Sequence, residues 1–442
     1  MTPCVISAPC GPVRGTESSG IRIFRGIPYA CAERFERPHA IPAWNEVLEA
    51  DQETDCPQYG SYREETDKAG AFYRREFHSE LRFHYAENPL TLNIVAPADA
   101  SRCGVLVFIH GGGFETGTVG DLPYGACTEY ARQGVVFVSV GYRLNVFGLY
   151  GGRNLCLYDQ MEAISWVRVN IAAFGGDPDR ITLIGQSAGA MCIMDLCLTD
   201  ALKGRIRGAV MMSGGGLIPR FAGPRPPAYS EKFWQAVRLR AGAASEDALK
   251  ALPAKTVWEA WFSVFQERRN IHDSQPEIDG AIIPNVPQRV FSQSGGLAIP
   301  IIFSVTSQDF LAPVLYGAAL RAALLRSGHG LTSWGYFFDR TPPGNSYKAF
   351  HGSDLWYLFG NMEQSWRPFD KTDRRLSDQM IRCICSFVKT GSPNGHGLPV
   401  WPAVTPEQKG FRLFDGRSGS LICPAGCRFK TMKSLLLDRG PM

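Results

Sequence analysis

The chain contains no run approaching the ~20 consecutive apolar residues that a membrane-spanning helix requires, which excludes a helical transmembrane protein. It also lacks a surplus of one charge. Lys and Arg number 46 against 42 Asp and Glu, and a net +4 spread over 442 residues is too thin to track phosphates, so nucleic acid is not an expected partner. The opening MTPCVISAPCGPVRG has no basic segment followed by an apolar leader, so a soluble, unexported protein is expected. Cysteine is present but unorganised: 13 is an odd number and shows no secretory framework. Reduced, mostly buried thiols and a cytoplasmic location are the expectation. The one set with a metal-like look is Cys383-x-Cys385 with Cys423 and Cys427. Residues two apart on a helix point in different directions and chelate poorly, so neither metal nor cofactor is expected.

What is present is an ordinary globular composition, 45% hydrophobic and 20% charged. A folded chain of this length buries roughly three quarters of its unfolded surface, so apolar packing can hold it without disulfides. After about 50 residues of short strands and turns, apolar and amphipathic runs alternate. Strands are predicted over 90–95, 104–109, 135–140, 181–184, 208–212, 299–305 and 334–338, each short, β-branched or aromatic-rich and closed by a turn residue. Helices are predicted between most of them, including 159–170 and 376–388. Such alternation implies an α/β fold with a mostly parallel central sheet and helices on both faces. Residues 218–270 break the rhythm with a Pro-rich entry and helical runs, and read as a helical cap inserted into one large domain spanning 1–442.

The chemistry is concentrated where a predicted strand runs into Gly185-Gln186-Ser187-Ala188-Gly189 and then a helix-compatible stretch. A G-x-S-x-G arises by chance in roughly one of several chains this long, so the flanking strand and helix carry the weight. In that context the serine sits on a strained turn at the sheet's carboxyl edge, and Ser187 is a candidate nucleophile. Upstream, a strand ends in His110-Gly111-Gly112-Gly113-Phe114. A glycine run lets successive N–H groups face one point, so Gly112 and Gly113 with the N–H of Ala188 are candidates for an oxyanion hole.

A serine hydroxyl needs a base. On an elbow of this kind the partners follow as serine, acid, histidine, which sets aside the four histidines before Ser187; His110 reads as a structural hydrogen-bonder. Of the later ones, His272, His329 and His396 lie in polar helical, loop or turn sequence, whereas His351 follows an aromatic strand and a Pro-Pro-Gly loop, where a base would hang over the elbow. Asp309, just past the 299–305 strand, is the candidate acid, with Asp339 and Asp354 as rivals. Phe114 and Phe310 are candidate substrate contacts. The stripe Trp258, Trp261, Phe262, Phe265 has helical spacing, which favours core packing but leaves Trp261 as a candidate pocket wall.

These motifs resemble the type-B carboxylesterase family, the α/β-hydrolases that include para-nitrobenzyl esterases and cholinesterases. The likeness runs from Phe24-Arg25-Gly26-Ile27-Pro28-Tyr29 through HGGGF to Lys389-Thr390-Gly391-Ser392-Pro393-Asn394-Gly395, and residues 174–189 match the family's serine signature throughout. The resemblance implies an α/β-hydrolase fold, a triad at Ser187, Asp309 and His351, and cofactor-independent hydrolysis of a small-molecule ester. Three departures are visible. Asp309 stands where the family usually has Glu, Glu87-Asn88-Pro89-Leu90 lacks the cysteine of the family's second signature, and the stretch from 309 to 351 is short, which implies an open cleft. The rivals are a non-catalytic esterase-like binding protein, and amide, carbamate or lactone hydrolysis or acyl transfer on the same triad.

Overall fold

The computed structural model describes residues 1–51, 56–57, 68–78, 85–125, 127–218, 223–268, 270–344, 347–417 and 422–424; Cys427 of the cysteine set lies outside them. Apart from two-residue strands, the strands of the described residues are, in chain order, β1 Thr2–Ala8, β2 Gly11–Ser18, β3 Ile21–Pro28, β4 Thr91–Pro97, β5 Cys103–Ile109, β6 Val135–Val140, β7 Gly176–Gln186, β8 Gly208–Met212, β9 Ile301–Thr306, β10 Ser333–Phe338, β11 Gly410–Phe414 and β12 Ile422–Pro424. They form one sheet in the order β1-β2-β3-β4-β6-β5-β7-β8-β9-β10-β11-β12. Antiparallel pairing at the amino-terminal edge gives way to parallel pairing from β6 and β5 across to β11.

The helices that position the site are α1 Lys68–Tyr73, α2 Leu155–Asn170, α3 Ala188–Leu196, α4 Glu231–Arg240, α5 Glu246–Ala251, α6 Ala254–Arg268, α7 Ala312–Gly328, α8 Leu355–Phe359 and α9 Lys371–Thr390. The central strands are apolar on both faces, as strands covered on both sides must be. Val105, Val107 and Ile109 of β5 turn into one core with α2, α3, α6 and α7. Leu106 and Phe108 turn into a second core with α8 and α9. Helix α9 starts on a capping box, Asp370 accepting from the Thr372 and Asp373 N–H groups while Asp373 accepts from Asp370 N–H, and it stops at Gly391 with φ +79°. Its Cys383 and Cys385 are both buried core residues.

Two sequence readings are corrected. The strand expected from 299 begins at Ile301, because Pro300 has no N–H for the ladder. The seven predicted strands stop at 334–338, whereas β11 lies beyond that strand in parallel. Arg412 interrupts the apolar pattern of β11, yet it is 2% exposed, its Nη1 donating to the carbonyls of Pro399 and Val400. Among the described residues no helix is long and apolar enough to cross a membrane, and no group of three His, Cys, Asp or Glu is placed to hold a metal ion.

Candidate active site

The nucleophile elbow follows from local sterics. Ser187 has φ +55° and ψ −123°, a conformation costly for a residue with a side chain, between the last residue of β7 and the first of α3. The flanking glycines are required by contact. A Cβ on Gly185 would lie 2.6 Å from the Gly189 carbonyl, and one on Gly189 would lie 2.1 Å from the Ile109 oxygen. The turn therefore wedges α3 against the end of β5. That brings the glycine loop after β5 to the serine: a Cβ on Gly111 would stand 3.1 Å from Ser187 Cβ.

In that loop Gly112 and Gly113 have φ +111° and +68°. The Gly112 carbonyl accepts from the N–H groups of Glu115 and Thr116, fixing the loop. No acceptor among the described residues pairs with the N–H groups of Gly112, Gly113 or Ala188. Such unclaimed donors in the glycine loop and at the first residue of α3, next to the serine, are of the kind that can stabilise an oxyanion.

Asp309 and His351 reach the same edge from different strands. The Asp309 loop leaves β9 and is tied to the His351 loop by a bridge between Gln308 and Phe350, with Gln308 N–H donating to the Ala349 carbonyl at 2.9 Å. His351 Nδ1 lies 2.7 Å from Asp309 Oδ1. Thr306 Oγ1 donates to Asp309 Oδ2 at 3.0 Å, and Phe310 N–H donates to Oδ1 at 2.9 Å. Burial would raise the Asp309 pKa, but the imidazole and the hydrogen bonds outweigh it and hold the carboxyl below the usual carboxylate range. Burial likewise opposes charge on His351; Asp309 and then Asp354 outweigh that effect and raise the imidazole above its ordinary value.

His351 Nε2 points to the elbow. Its hydrogen-bonding neighbour is the side chain of Gln186, with 3.1 Å between the two nitrogens, and no hydrogen bond joins it to Ser187 Oγ in this structure. Catalytic contacts of this type often tighten only with substrate bound. The rival carboxylates lie elsewhere. Asp354 stands at the start of α8 and accepts from Tyr336 Oη at 2.9 Å; burial, with the neighbouring Asp309, outweighs that bond and raises its carboxyl to about 6. Asp339 N–H donates to the Phe414 carbonyl at the far side of β10. His110 is buried, stacked on Tyr142 at 4.4 Å, in a structural role.

Of the three apolar residues singled out from sequence, the structure brings one to the rim. Phe310 is 66% exposed and its ring lies 4.6 Å from the His351 ring. Phe114 and Trp261 are each 1% exposed within the larger core, Trp261 stacked on Phe265 at 5.2 Å, so neither presents a surface to a substrate. Sequence reasoning missed the segment 68–78. From it Tyr73 donates to the His351 carbonyl at 3.3 Å, and Phe72 packs edge-on against Phe350 at 5.0 Å. The segment is pinned by Glu76, fully buried against Arg367 at 2.6 Å and accepting from Trp356. No motif marks it; the signal available was its density of aromatic residues.

Known proteins resemble this chain over most of its length. The profile of the Carboxylesterase family matches residues 2–322 and 318–419. The para-nitrobenzyl esterase of Bacillus subtilis (strain 168) is 28% identical, over 94% of this chain and 95% of its own. The phenmedipham hydrolase of Pseudarthrobacter oxydans is also 28% identical, over 89% of this chain and 91% of its own. Among solved structures, a PNB esterase superposes with a TM-score of 0.83 at 25% identity, covering 99% of this chain and all of the other. The carboxylesterase EST55 of Geobacillus stearothermophilus does so at 0.78 and 26%, covering 97% and 99%.

Proposed function

Because the chain belongs to the carboxylesterase family and is a serine carboxylic-ester hydrolase of the α/β-hydrolase fold, we propose that Ser187, His351 and Asp309 are its catalytic triad. The N–H groups of Gly112, Gly113 and Ala188 are its oxyanion hole, and Phe310 lines its substrate rim. The observation that carries this reading is the 2.7 Å contact between Asp309 Oδ1 and His351 Nδ1, which leaves Nε2 turned to the serine elbow.

The steps follow from that arrangement. Asp309 keeps the proton on Nδ1, so the Nε2 lone pair takes the Ser187 hydroxyl proton as the oxygen attacks the ester carbonyl. The tetrahedral oxyanion meets the three backbone donors, each of which is typically worth ~3 kcal/mol of transition-state stabilisation. Imidazolium then protonates the departing alcohol, and the same ring activates water to release the acid.

Small esters with an aromatic group, of the kind that names the para-nitrobenzyl relative, suit the exposed face of Phe310. Free thiols such as buried Cys127 and Cys156 and exposed Cys31 fit a reducing, cytoplasmic setting. Helices α4 to α6 are the cap of a single domain. The test is stoichiometric labelling of Ser187 by a fluorophosphonate alongside hydrolysis of short-chain nitrophenyl esters. Label and turnover vanish together in Ser187→Ala, and His351→Ala reduces both rates; turnover surviving in Ser187→Ala refutes the assignment.

A further inference from the structure

The residue before the nucleophile carries an inference that rests on this triad assignment and extends it. With the ring's proton on Nδ1 and donated to Asp309, Nε2 is a lone pair, and the group facing it is the Gln186 side-chain amide, 3.1 Å away. Gln186 is 6% exposed, so water does not compete freely for the amide. Its placement is tight. A Cβ on Gly111 would come within 2.7 Å of Gln186 Oε1, and one on Gly352 within 3.5 Å of Nε2, so the amide is confined between the oxyanion loop and the histidine loop.

We propose that Gln186 is a positioning residue for the base. Its amide N–H holds the Nε2 lone pair toward the elbow at rest and releases it when Ser187 turns its hydroxyl to the ring. A hydrogen bond to the neutral ring favours the neutral, base-competent form. The amide is also uncharged, which matters because of what else surrounds the imidazole. Among the described residues the titratable groups around it are Asp309 on Nδ1 from the loop after β9, Asp354 at the start of α8, and Tyr73 on the ring residue's carbonyl from α1. Two carboxylates already favour the protonated ring. A third carboxylate at Nε2 would stabilise imidazolium directly at the atom that must accept the serine proton. The neutral amide at 186 keeps that from happening.

The experiment is the pH dependence of kcat/KM for a nitrophenyl ester with full-length wild type, Gln186→Glu and Gln186→Met. In Gln186→Glu the acidic limb should move up by at least about one pH unit, as an opposite charge within hydrogen-bonding distance produces. Gln186→Met keeps the length and removes the amide. Its limb should also rise, by about half a unit, the size of a lost hydrogen bond to the neutral form, and its plateau should fall several-fold because the ring is no longer held. A Gln186→Glu limb within about 0.2 unit of wild type in a variant with wild-type Tm overturns the proposal. Should Gln186→Glu fail to fold, a Gln186→Met limb that stays put or falls overturns it. Failure of the triad itself reads differently, since His351→Ala would then retain activity and its acidic limb.

Discussion

Replacing Asp309 by Asn preserves the shape of the side chain and removes its charge, which isolates what the carboxylate does. Its side chain is inaccessible to solvent and the imidazole's is 12% accessible, so little screening weakens the pair. Unit charges ~4 Å apart at an effective dielectric of ~20 attract by ~4 kcal/mol, and ~1.4 kcal/mol is a factor of ten. Loss of that attraction alone removes about three powers of ten from the step in which imidazolium forms. Asn also presents an N–H₂ that can donate to Nδ1, favouring the tautomer with its proton on Nε2, where the serine's proton must go. Together these put the loss in kcat/KM at about 10³–10⁴, the scale known for such a substitution in triads of this type. The assay is steady-state hydrolysis of a short-chain nitrophenyl ester near pH 8, with Tm measured in parallel. Asp339→Asn should stay within about threefold of wild type, since Asp339 follows β10 on the side of β11, its N–H bound to the Phe414 carbonyl, and Asp354→Asn within about tenfold, acting on the ring through space. A folded Asp309→Asn enzyme retaining a tenth of its activity, or a larger loss in Asp354→Asn, refutes the assignment of the acid.

Other consequences are as direct. Protonated His351 cannot accept the serine proton, so activity falls as pH drops through its pKa; because Asp309 and Asp354 outweigh burial, the acidic limb of kcat/KM should lie above the ordinary ~6.5 and shift down in Asp354→Asn. Ser187→Gly should be more stable than Ser187→Ala by about 1 kcal/mol in urea unfolding, since glycine accepts φ +55° and ψ −123° without strain; equal midpoints would deny the strain. Arg143 and Asp159, 1% and 0% accessible and paired at 2.7 Å, tie the segment after β6 to α2. Asp159→Asn leaves a buried guanidinium unpaired and should cost ~3–5 kcal/mol by the same measurement. Phe310→Ala should raise KM for aryl esters several-fold with little effect on a small alkyl ester, and a uniform change in both would place the ring outside the substrate path.

How far the sequence could be read depended on whether the determining contacts were local. Ser187 was legible because its elbow is built from neighbours: Gly185 meets Gly189, and Gly189 meets the end of β5, so the chemistry is written in five consecutive residues and one strand. His351 and Asp309 were legible by chain order and strand ends, the bridge from Gln308 to Phe350 being the tertiary fact that joins them. The strand β11 was not legible, because Arg412 breaks its apolar run, and the carbonyls of Pro399 and Val400 with the Phe414 ring, all supplied by the fold, offset that burial.

The apolar candidates show the same division at the level of function. Phe114, Trp261 and Phe310 are alike in sequence as aromatic residues near or opposite a motif, and nothing local says which of them meets solvent. Trp261 lies on a helical stripe whose apolar neighbours at i−3 and i+4, Trp258 and Phe265, pull it onto the core of that face. Phe114 follows a glycine loop whose left-handed turn, continued at its own φ of +64°, carries the ring inward while the Phe114 carbonyl accepts from Asn145 N–H. Phe310 differs because its own backbone N–H is bound by Asp309 Oδ1, which fixes the chain direction and leaves the ring above the imidazole and outside the core. The same carboxylate thus orients the base and sets the aromatic rim. Asp309→Asn should therefore alter the preference between aryl and alkyl esters as well as the rate, whereas Phe310→Ala should alter the preference while keeping the pH profile.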